Sequence, residues 1–189
     1  MTPRPGCGVA WRGALGAGLL LAALLAVAAP APPITGQLPQ ARLAGEGEFR
    51  WFGLAIYQAR FWVGERGYRE AAPEAAPFVL ELRYARALEG AKIAEASAEQ
   101  MEKTGAGSAA QRLAWLQTMK RIFPDVREGS RISGAYLPQV GARFYLDDKL
   151  LAEVPDPAFA RAFFGIWLAP AGSAPKLREA LLRDAAPRR

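Results

Sequence analysis

The sequence predicts an α+β domain with an antiparallel β-sheet, and two observations predict it. Apolar and polar residues alternate with the period of a strand in several short segments, and apolar residues recur every three or four positions in others. These segments also come in separate runs: strands, then two helices, then strands, then two helices. Segregated runs of this kind are typical of an α+β domain and not of a parallel sheet with alternating helices.

The first half of the domain is predicted to contain two strands and two helices. One long strand is expected over residues 51–63, because every second residue is apolar or small and these residues share one face. A loop reaches Pro77, and a half-buried strand follows over residues 78–84. A helix is expected over residues 89–103. After the glycines near residue 105, apolar spacing predicts an amphipathic helix carrying Leu113, Leu116, Met119, Ile122 and Phe123.

The second half is predicted to contain three strands and two helices. The strands are expected over residues 131–137, 142–146 and 150–154. Asp147 and Asp148 are residues typical of a turn and precede the third strand. Asp156 is expected to cap a helix over residues 158–167, because Pro157 suits a first helical turn. Ser173 is expected to cap a last helix over residues 175–182.

The N-terminus has the layout of a secretory signal peptide. Arg4 and Arg12 precede an uncharged Leu- and Ala-rich stretch from Gly13 to Ala29, and Ala26-Val27-Ala28 forms a small-residue cleavage site. We therefore expect a signal peptide at 1–28, an extended leader at 29–41, one domain at 42–184 and a charged tail at 185–189. Retention as a signal anchor is the alternative, which the prolines that follow disfavour. Cleavage predicts a periplasmic or otherwise secreted protein.

Composition excludes several classes of function. Cleavage would remove Arg4, Arg12 and Cys7, which lowers the formal net charge from +6 to +4 and leaves neither cysteine nor histidine. No disulfide, no Cys or His metal site and no Ser-His or Cys-His catalytic pair is then possible. The basic residues are scattered, so no nucleic-acid stripe is expected, and no cofactor is predicted. Contact with a membrane is expected only through the signal segment before cleavage.

Two segments near the C-terminus resemble the chalcone isomerase-like family. The run Asp156-Pro157-Ala158-Phe159-Ala160-Arg161-Ala162-Phe163-Phe164-Gly165-Ile166-Trp167-Leu168 is similar to its C-terminal signature, and the residues from Ser173 to Arg178 continue the match. Weaker similarity covers Gly141 to Tyr145 and Phe52 to Tyr57. The resemblance implies an open-faced β-sandwich with a large antiparallel sheet, helices packed on one face, and a cleft between them for an apolar ligand.

Members of the family fall into two functional classes, which the resemblance leaves open. One class closes chalcones to flavanones, and the other binds fatty acids without known catalysis. Ring closure needs a cation for the phenolate and hydroxyls for the developing enolate oxygen. By resemblance Arg42 lies near the position of the enzymes' arginine, whereas their threonine and tyrosine fall on Gly53 and Ile93. Their lysine and asparagine fall on Ala96 and Gln100, so flavonoid ring closure is not expected.

Four residues are candidates for ligand binding: Arg42, Tyr57, Tyr84 and Arg86. Arg42 would hold a carboxylate or phenolate, unless it is a surface arginine at the domain edge. Tyr57 would donate its hydroxyl into the cleft, unless it is a core residue. Arg86 shares the strand parity of Tyr84, which makes it a better candidate than Arg83, whereas Phe163, Phe164 and Trp167 are expected in the helical core.

Three hypotheses of function follow. The first is an exported binding protein for a fatty-acid-like or other apolar anionic ligand, paired with Arg42 or Arg86. The second is an isomerase, an intramolecular lyase acting on a chalcone-like or other enone substrate, with Arg42 and Tyr57 as its catalytic groups. The third is a structural protein of the cell envelope with a filled core.

Overall fold

The computed structural model describes residues 1–2 and 32–187, and the predicted export signal lies almost wholly outside them. In the described part, six strands form one sheet in the order β1-β2-β3-β4-β5-β6, and every neighbouring pair is antiparallel. The predicted fold class is confirmed. The elements are α1 (Pro32–Gln37), β1 (Arg42–Trp51), β2 (Leu54–Val63), β3 (Phe78–Tyr84), α2 (Gly90–Lys103), α3 (Ala109–Ile122), β4 (Arg131–Leu137), β5 (Gly141–Leu146), β6 (Lys149–Val154), α4 (Pro157–Leu168) and α5 (Pro175–Leu182).

The single strand expected over residues 51–63 is wrong: Trp51 ends β1, and β2 begins only at Leu54, after a turn. Strands β1 and β2 are joined by Phe52 and Gly53, whose φ angles are 46° and 80°. Two consecutive residues with positive φ match the twist of antiparallel strands and make a tight turn. Apolar or small residues continue at every second position through this turn. The alternation therefore predicted one long strand instead of two.

One face of the sheet packs against helices to form the main core. Phe61, Leu80 and Phe144 are buried on this face, together with Phe159 and Phe164 of α4. Helix α5 lies directly over β1, because a Cβ added at Gly45 would stand 2.0 Å from the backbone oxygen of Ala180. Only glycine allows so close an approach between a strand and a helix backbone.

The opposite face is covered in part by α1, so residues 32–37 are helical and not the extended leader that we expected. Ile34 and Leu38 are almost completely buried against Trp62, Val79 and Ala135. Residues four apart on a helix share a face. The segment contains few helix-forming residues. It is helical because a helix places Ile34 and Leu38 together on an apolar patch of the sheet.

The predicted cap of α4 is observed, whereas the predicted cap of α5 is not. The Asp156 carboxylate accepts hydrogen bonds from the backbone N–H groups of Ala158 and Phe159 at 2.9 and 3.0 Å, and Pro157 opens the helix. The residue before α5 is Ala174, which makes no side-chain cap. Ser173 instead donates its hydroxyl hydrogen to the Gln100 side chain, across to α2.

Within the described residues, no helix has the length and apolar character needed to cross a bilayer.

Candidate functional site

A cavity of about 210 Å³ lies at the end of the sheet where β3 begins and β4 ends. Its apolar wall consists of Phe78, Tyr136, Phe164 and Leu168. The rings of Phe78 and Tyr136 stack with centroids 4.8 Å apart, and Phe164 meets the Phe78 ring edge-on at 5.1 Å. The loop between β2 and β3, residues 64–77, closes the other side with Tyr68, Glu70, Pro73 and Glu74.

Sequence and topology together explain why a cavity forms here. Gly134 leaves room for Phe164, since an added Cβ would come within 3.1 Å of that ring. The ring therefore lies close against the middle of β4. Gly165, the next residue of α4, also lines the cavity, and beyond its own helix backbone an added Cβ would meet only the Ala169 Cβ, at 3.9 Å. The missing side chain at Gly165 keeps this part of the cavity wall thin.

Two arginines line the cavity, and they differ in their partners. Arg178 of α5 pairs with the Glu70 carboxylate and donates to the Leu168 carbonyl at 2.8 Å. Arg161 of α4 is exposed and makes no salt bridge with a described residue. Its positive charge acts on the nearby Tyr136 hydroxyl and works against the rise in the pKa of that group. Of the two cavity arginines, Arg161 is therefore the one whose charge is not engaged in a salt bridge with a described residue.

The two tyrosine hydroxyls at the cavity remain protonated at neutral pH. Burial raises the pKa of Tyr136, the charge of Arg161 opposes the rise, and the charge of Glu74 adds to it. Burial likewise raises the pKa of Tyr68 to about 12, with Arg178 acting against it and Glu70 and Glu74 adding to it. Neutral hydroxyls can donate hydrogen bonds to an anion, so Arg161, Tyr136 and Tyr68 form a polar end to an apolar cavity.

A second, smaller cavity of about 80 Å³ lies on the other side of Tyr68, among Arg66, Arg69, Ala76 and Pro187. It is enclosed by the same loop and the C-terminal segment. None of the four residues predicted from the sequence to bind ligand lines either cavity.

The structure brings two of the predicted residues together. The Tyr57 and Tyr84 rings meet edge-on with centroids 6.1 Å apart, and Tyr57 accepts a hydrogen bond from the Trp167 indole at 3.0 Å. Burial raises the pKa of Tyr57 to about 12, and the hydrogen bond from Trp167 works against that rise. Both tyrosines belong to or border the main core.

The two predicted arginines lie elsewhere. Arg42 donates to the carbonyls of Asp184 and Ala186, so its guanidinium holds the C-terminal segment. Arg42 pairs with Val63, six residues along β2 from Tyr57, which is about 20 Å in a strand. Arg86 is exposed in the segment after β3.

The cavity arginine was missed by sequence reasoning, although a signal for it was present. Arg161 is the one charged residue in α4, a helix that is otherwise apolar, aromatic or small. A cation retained in such a helix has either to reach solvent or to meet an anion. Phe164 was predicted as core, and it does pack in the core while one side of its ring faces the cavity.

Among the described residues, no group of three or more His, Cys, Asp or Glu side chains is placed to hold a metal ion.

A single antiparallel sheet with α2 to α5 on one face, the short α1 on the other and a small apolar cavity at its end defines the open-faced α+β class that the sequence predicted. A family model described as chalcone isomerase-like matches residues 38–183. The chain therefore belongs to the chalcone isomerase-like family, as its C-terminal signature indicated.

Similar proteins include one known from its sequence and one of known structure. An uncharacterized protein of Haemophilus influenzae is 30% identical over 140 residues, which are 73% of this chain and 66% of the relative. This chain thus spans just under two thirds of that relative. A crystal structure of a fatty-acid binding protein of Arabidopsis thaliana has a TM-score of 0.61 at 15% identity, covering 78% of this chain and 89% of that one. At that identity the likeness establishes the fold.

Proposed function

We propose that this protein binds an apolar anion of the fatty-acid type, with its hydrocarbon part in the 210 Å³ cavity and its carboxylate at Arg161. The observation that carries the proposal is that, of the two arginines lining the aromatic cavity, Arg161 makes no salt bridge with a described residue, whereas Arg178 pairs with Glu70. A guanidinium pairs with a carboxylate through two parallel hydrogen bonds, and such charge-assisted bonds are the strong ones. The Tyr136 hydroxyl beside it can supply a further donor.

The size of the cavity limits the ligand. Cavities that enclose drug-sized ligands usually measure roughly 300–1,000 Å³, and this one is about 210 Å³. It therefore suits a short chain, or one end of a longer chain whose remainder lies outside. Glu70 is paired with Arg178, and its charge repels an anion there, which favours Arg161 over Arg178 for the carboxylate.

We also propose that the protein does not catalyse flavonoid ring closure. The positions that resemble the enzymes' hydroxyl residues hold Gly53, which lies in the turn between β1 and β2, and Ile93, which packs against the core. Arg42 is already committed to two main-chain carbonyls. Each lost oxyanion donor costs on the order of 100-fold in rate.

The binding test compares a carboxylate with an uncharged molecule of the same length. Dodecanoate, octanoate and dodecanol are titrated into the protein and into Arg161→Gln, and binding is measured by calorimetry. We expect Arg161→Gln to weaken binding of both carboxylates at least about tenfold, because a hydrogen bond to a charged group contributes about 1.5–3 kcal/mol. Binding of dodecanol should change little.

Matched variants make this test specific. Arg86→Gln and Arg42→Gln remove the arginines that the sequence singled out, and we expect neither to alter carboxylate affinity. Gly165→Leu places a side chain at the cavity wall, and we expect it to abolish binding of the acid and the alcohol alike. If Arg161→Gln binds normally while Arg42→Gln or Arg86→Gln does not, the ligand site is elsewhere. If none of the three compounds binds, the proposed function is wrong.

The proposed place of action is outside the cytoplasm. Support comes from the sequence of residues 1–28, where a basic end, an apolar stretch and a small-residue site follow one another.

A further inference from the structure

Three large apolar side chains are exposed together at the tip of the β1–β2 hairpin. Trp51, Phe52 and Leu54 are 57%, 89% and 54% exposed. The Trp51 and Phe52 rings contact each other edge-on, with centroids 5.0 Å apart. Single exposed apolar residues are normal, but a contiguous group is the usual mark of an interaction surface.

The tip projects from the sheet. Strand β3 pairs with β2 only between Tyr57 and Val63, whereas the last pairs of the hairpin are Arg50 with Ala55 and Trp51 with Leu54. Beyond Tyr84 only the Ala85 N–H reaches the hairpin, donating to the Ile56 carbonyl at 2.9 Å. The last two residue pairs thus extend roughly 7 Å past the neighbouring strand.

One backbone carbonyl of the turn is already satisfied by a side chain of the hairpin. Arg50 donates to the Gly53 carbonyl at 3.0 Å, so the turn carbonyl already has a partner. Satisfied backbone groups are the condition for entering an apolar phase. Arg50 also pairs with Glu48, but both side chains are largely exposed, at 61% and 43%. An exposed pair of this kind is weak, so Arg50 can exchange Glu48 for another anion.

The shape of the tip favours a lipid surface over a protein partner. Its three side chains expose on the order of 400 Å² of apolar area. A stable protein interface needs about 800 Å² from each partner, normally on a broad surface. A membrane interface requires no such area, because Trp, Phe and Leu side chains can enter the headgroup region individually while nearby arginines meet phosphates.

We propose that the β1–β2 hairpin tip docks on a lipid bilayer, inserting Trp51, Phe52 and Leu54 into its interfacial layer and placing Arg50 and Arg86 at the lipid phosphates. Arg86 lies two residues after Tyr84, at the same end of the sheet as the tip. This inference does not rest on the proposed ligand site, since the cavity is at the opposite end of the strands, at Phe78 and Tyr136. A contact of this kind is additional to the signal segment.

Trp51 is a natural reporter for the test. Trp62, Trp115 and Trp167 are 3%, 6% and 8% exposed, so Trp51 is the accessible tryptophan of the described residues. Tryptophan emission is recorded on vesicles of phosphatidylcholine and phosphatidylglycerol, with and without lipids brominated near the headgroup. The difference between the protein and Trp51→Phe isolates the Trp51 signal from that of the other tryptophans, and a double variant of the tip with the same N-terminal segment tests whether the tip itself is responsible.

We expect the brominated lipids to quench the Trp51 signal about twofold or more, as for a ring at the headgroup boundary. The double variant Phe52→Ser with Leu54→Ser should lose this quenching. The control is Leu113→Ser with Val140→Ser, which removes side chains that are 61% and 55% exposed elsewhere on the protein. The brominated lipids should quench the Trp51 signal of this control as strongly as that of the parent.

Two results would overturn the proposal. One is a Trp51 signal that the brominated lipids do not quench. The other is a chain that associates in sedimentation through the tip, shown by loss of association in Phe52→Ser with Leu54→Ser, while Trp51 stays unquenched on vesicles. The second result would identify the tip as a contact between protein copies. Normal carboxylate binding by the Phe52→Ser and Leu54→Ser variant would show that ligand binding in the cavity is independent of the hairpin tip.

Discussion

Glu81 is the most deeply buried carboxylate on the face of the sheet that α1 partly covers. It is 5% exposed, and its oxygens lie 3.4 Å from the Arg131 Nε and 4.0 Å from an Arg60 terminal nitrogen. Burial raises the pKa of Glu81, and the charge of Arg131, then that of Arg60, opposes the rise. Desolvation is thus only partly offset by its two cationic neighbours.

The raised pKa predicts how stability changes with pH. The folded chain holds the Glu81 proton more tightly than the unfolded chain, so the stabilising effect of that proton is present at low pH and lost as pH rises through the raised pKa. Glutamine does not titrate, so Glu81→Gln does not undergo this loss of stability as pH rises. We expect its free energy of unfolding, relative to the parent, to increase between about pH 4 and about pH 7 in urea denaturation.

The control for this prediction is Glu48→Gln, whose carboxylate is exposed beside Arg50. Its difference from the parent should be smaller, because an exposed ion pair contributes little to stability. A constant difference between Glu81→Gln and the parent across the same range would show that burial does not govern the Glu81 pKa.

Tyr57 shows how one residue can satisfy a functional pattern and yet be part of the core. Its hydroxyl accepts from Trp167, and its ring stacks on Phe49 with centroids 5.2 Å apart. A tyrosine held in this way joins the hairpin to α4. The hydroxyl that the sequence suggested for a cleft is thus engaged with an indole N–H.

At the scale of elements, the short helix α1 is held on the sheet by Ile34 and by Leu38, the residue that follows the helix. Ile34 is fully buried and Leu38 is 2% exposed. Arg143 also donates to the Gln37 side chain at 3.1 Å. Short helices are marginal in isolation, so α1 depends on this packing.

We expect Leu38→Ala to lower the free energy of unfolding by about 2–4 kcal/mol, because a buried leucine loses its transfer energy and leaves a cavity. Chemical denaturation measures the change. Gly36→Ala is the matched control, since an added Cβ there meets nothing within 4 Å. It should be neutral or stabilise by up to about 1 kcal/mol. If Leu38→Ala leaves the free energy of unfolding almost unchanged, the packing of α1 and Leu38 against the sheet is contradicted.

For the whole molecule, export is the property that the described residues leave untested, and it can be measured directly. We expect protein isolated from the periplasm to have the mass of a chain beginning at Ala29, since Ala26-Val27-Ala28 forms the cleavage site. The variant Leu20→Arg interrupts the apolar stretch and should keep the protein inside the cell. A full-length chain in the membrane fraction would instead support the signal anchor.

Much of the fold could be predicted because local chemistry and tertiary packing agree. Strands β3 to β6 and helix α4 follow the expected ranges closely, and Asp156 caps α4 as its position before Pro157 indicated. Strand β1 could not be predicted in this way. Gly45, Glu46, Gly47 and Glu48 show no apolar alternation, and the strand forms because β2 and α5 pack against it.

The sequence by itself determined the fold class, most element boundaries and the family, because periodicity, capping residues and the C-terminal signature are all local features. Only the tertiary structure decided which arginine meets an apolar cavity. Arg161 reaches Tyr136 across a helix–sheet contact, and Arg42 reaches Asp184, a residue 142 positions away. Contacts between elements depend on how several side chains and glycines from distant parts of the chain pack together. A local sequence pattern therefore does not predict them.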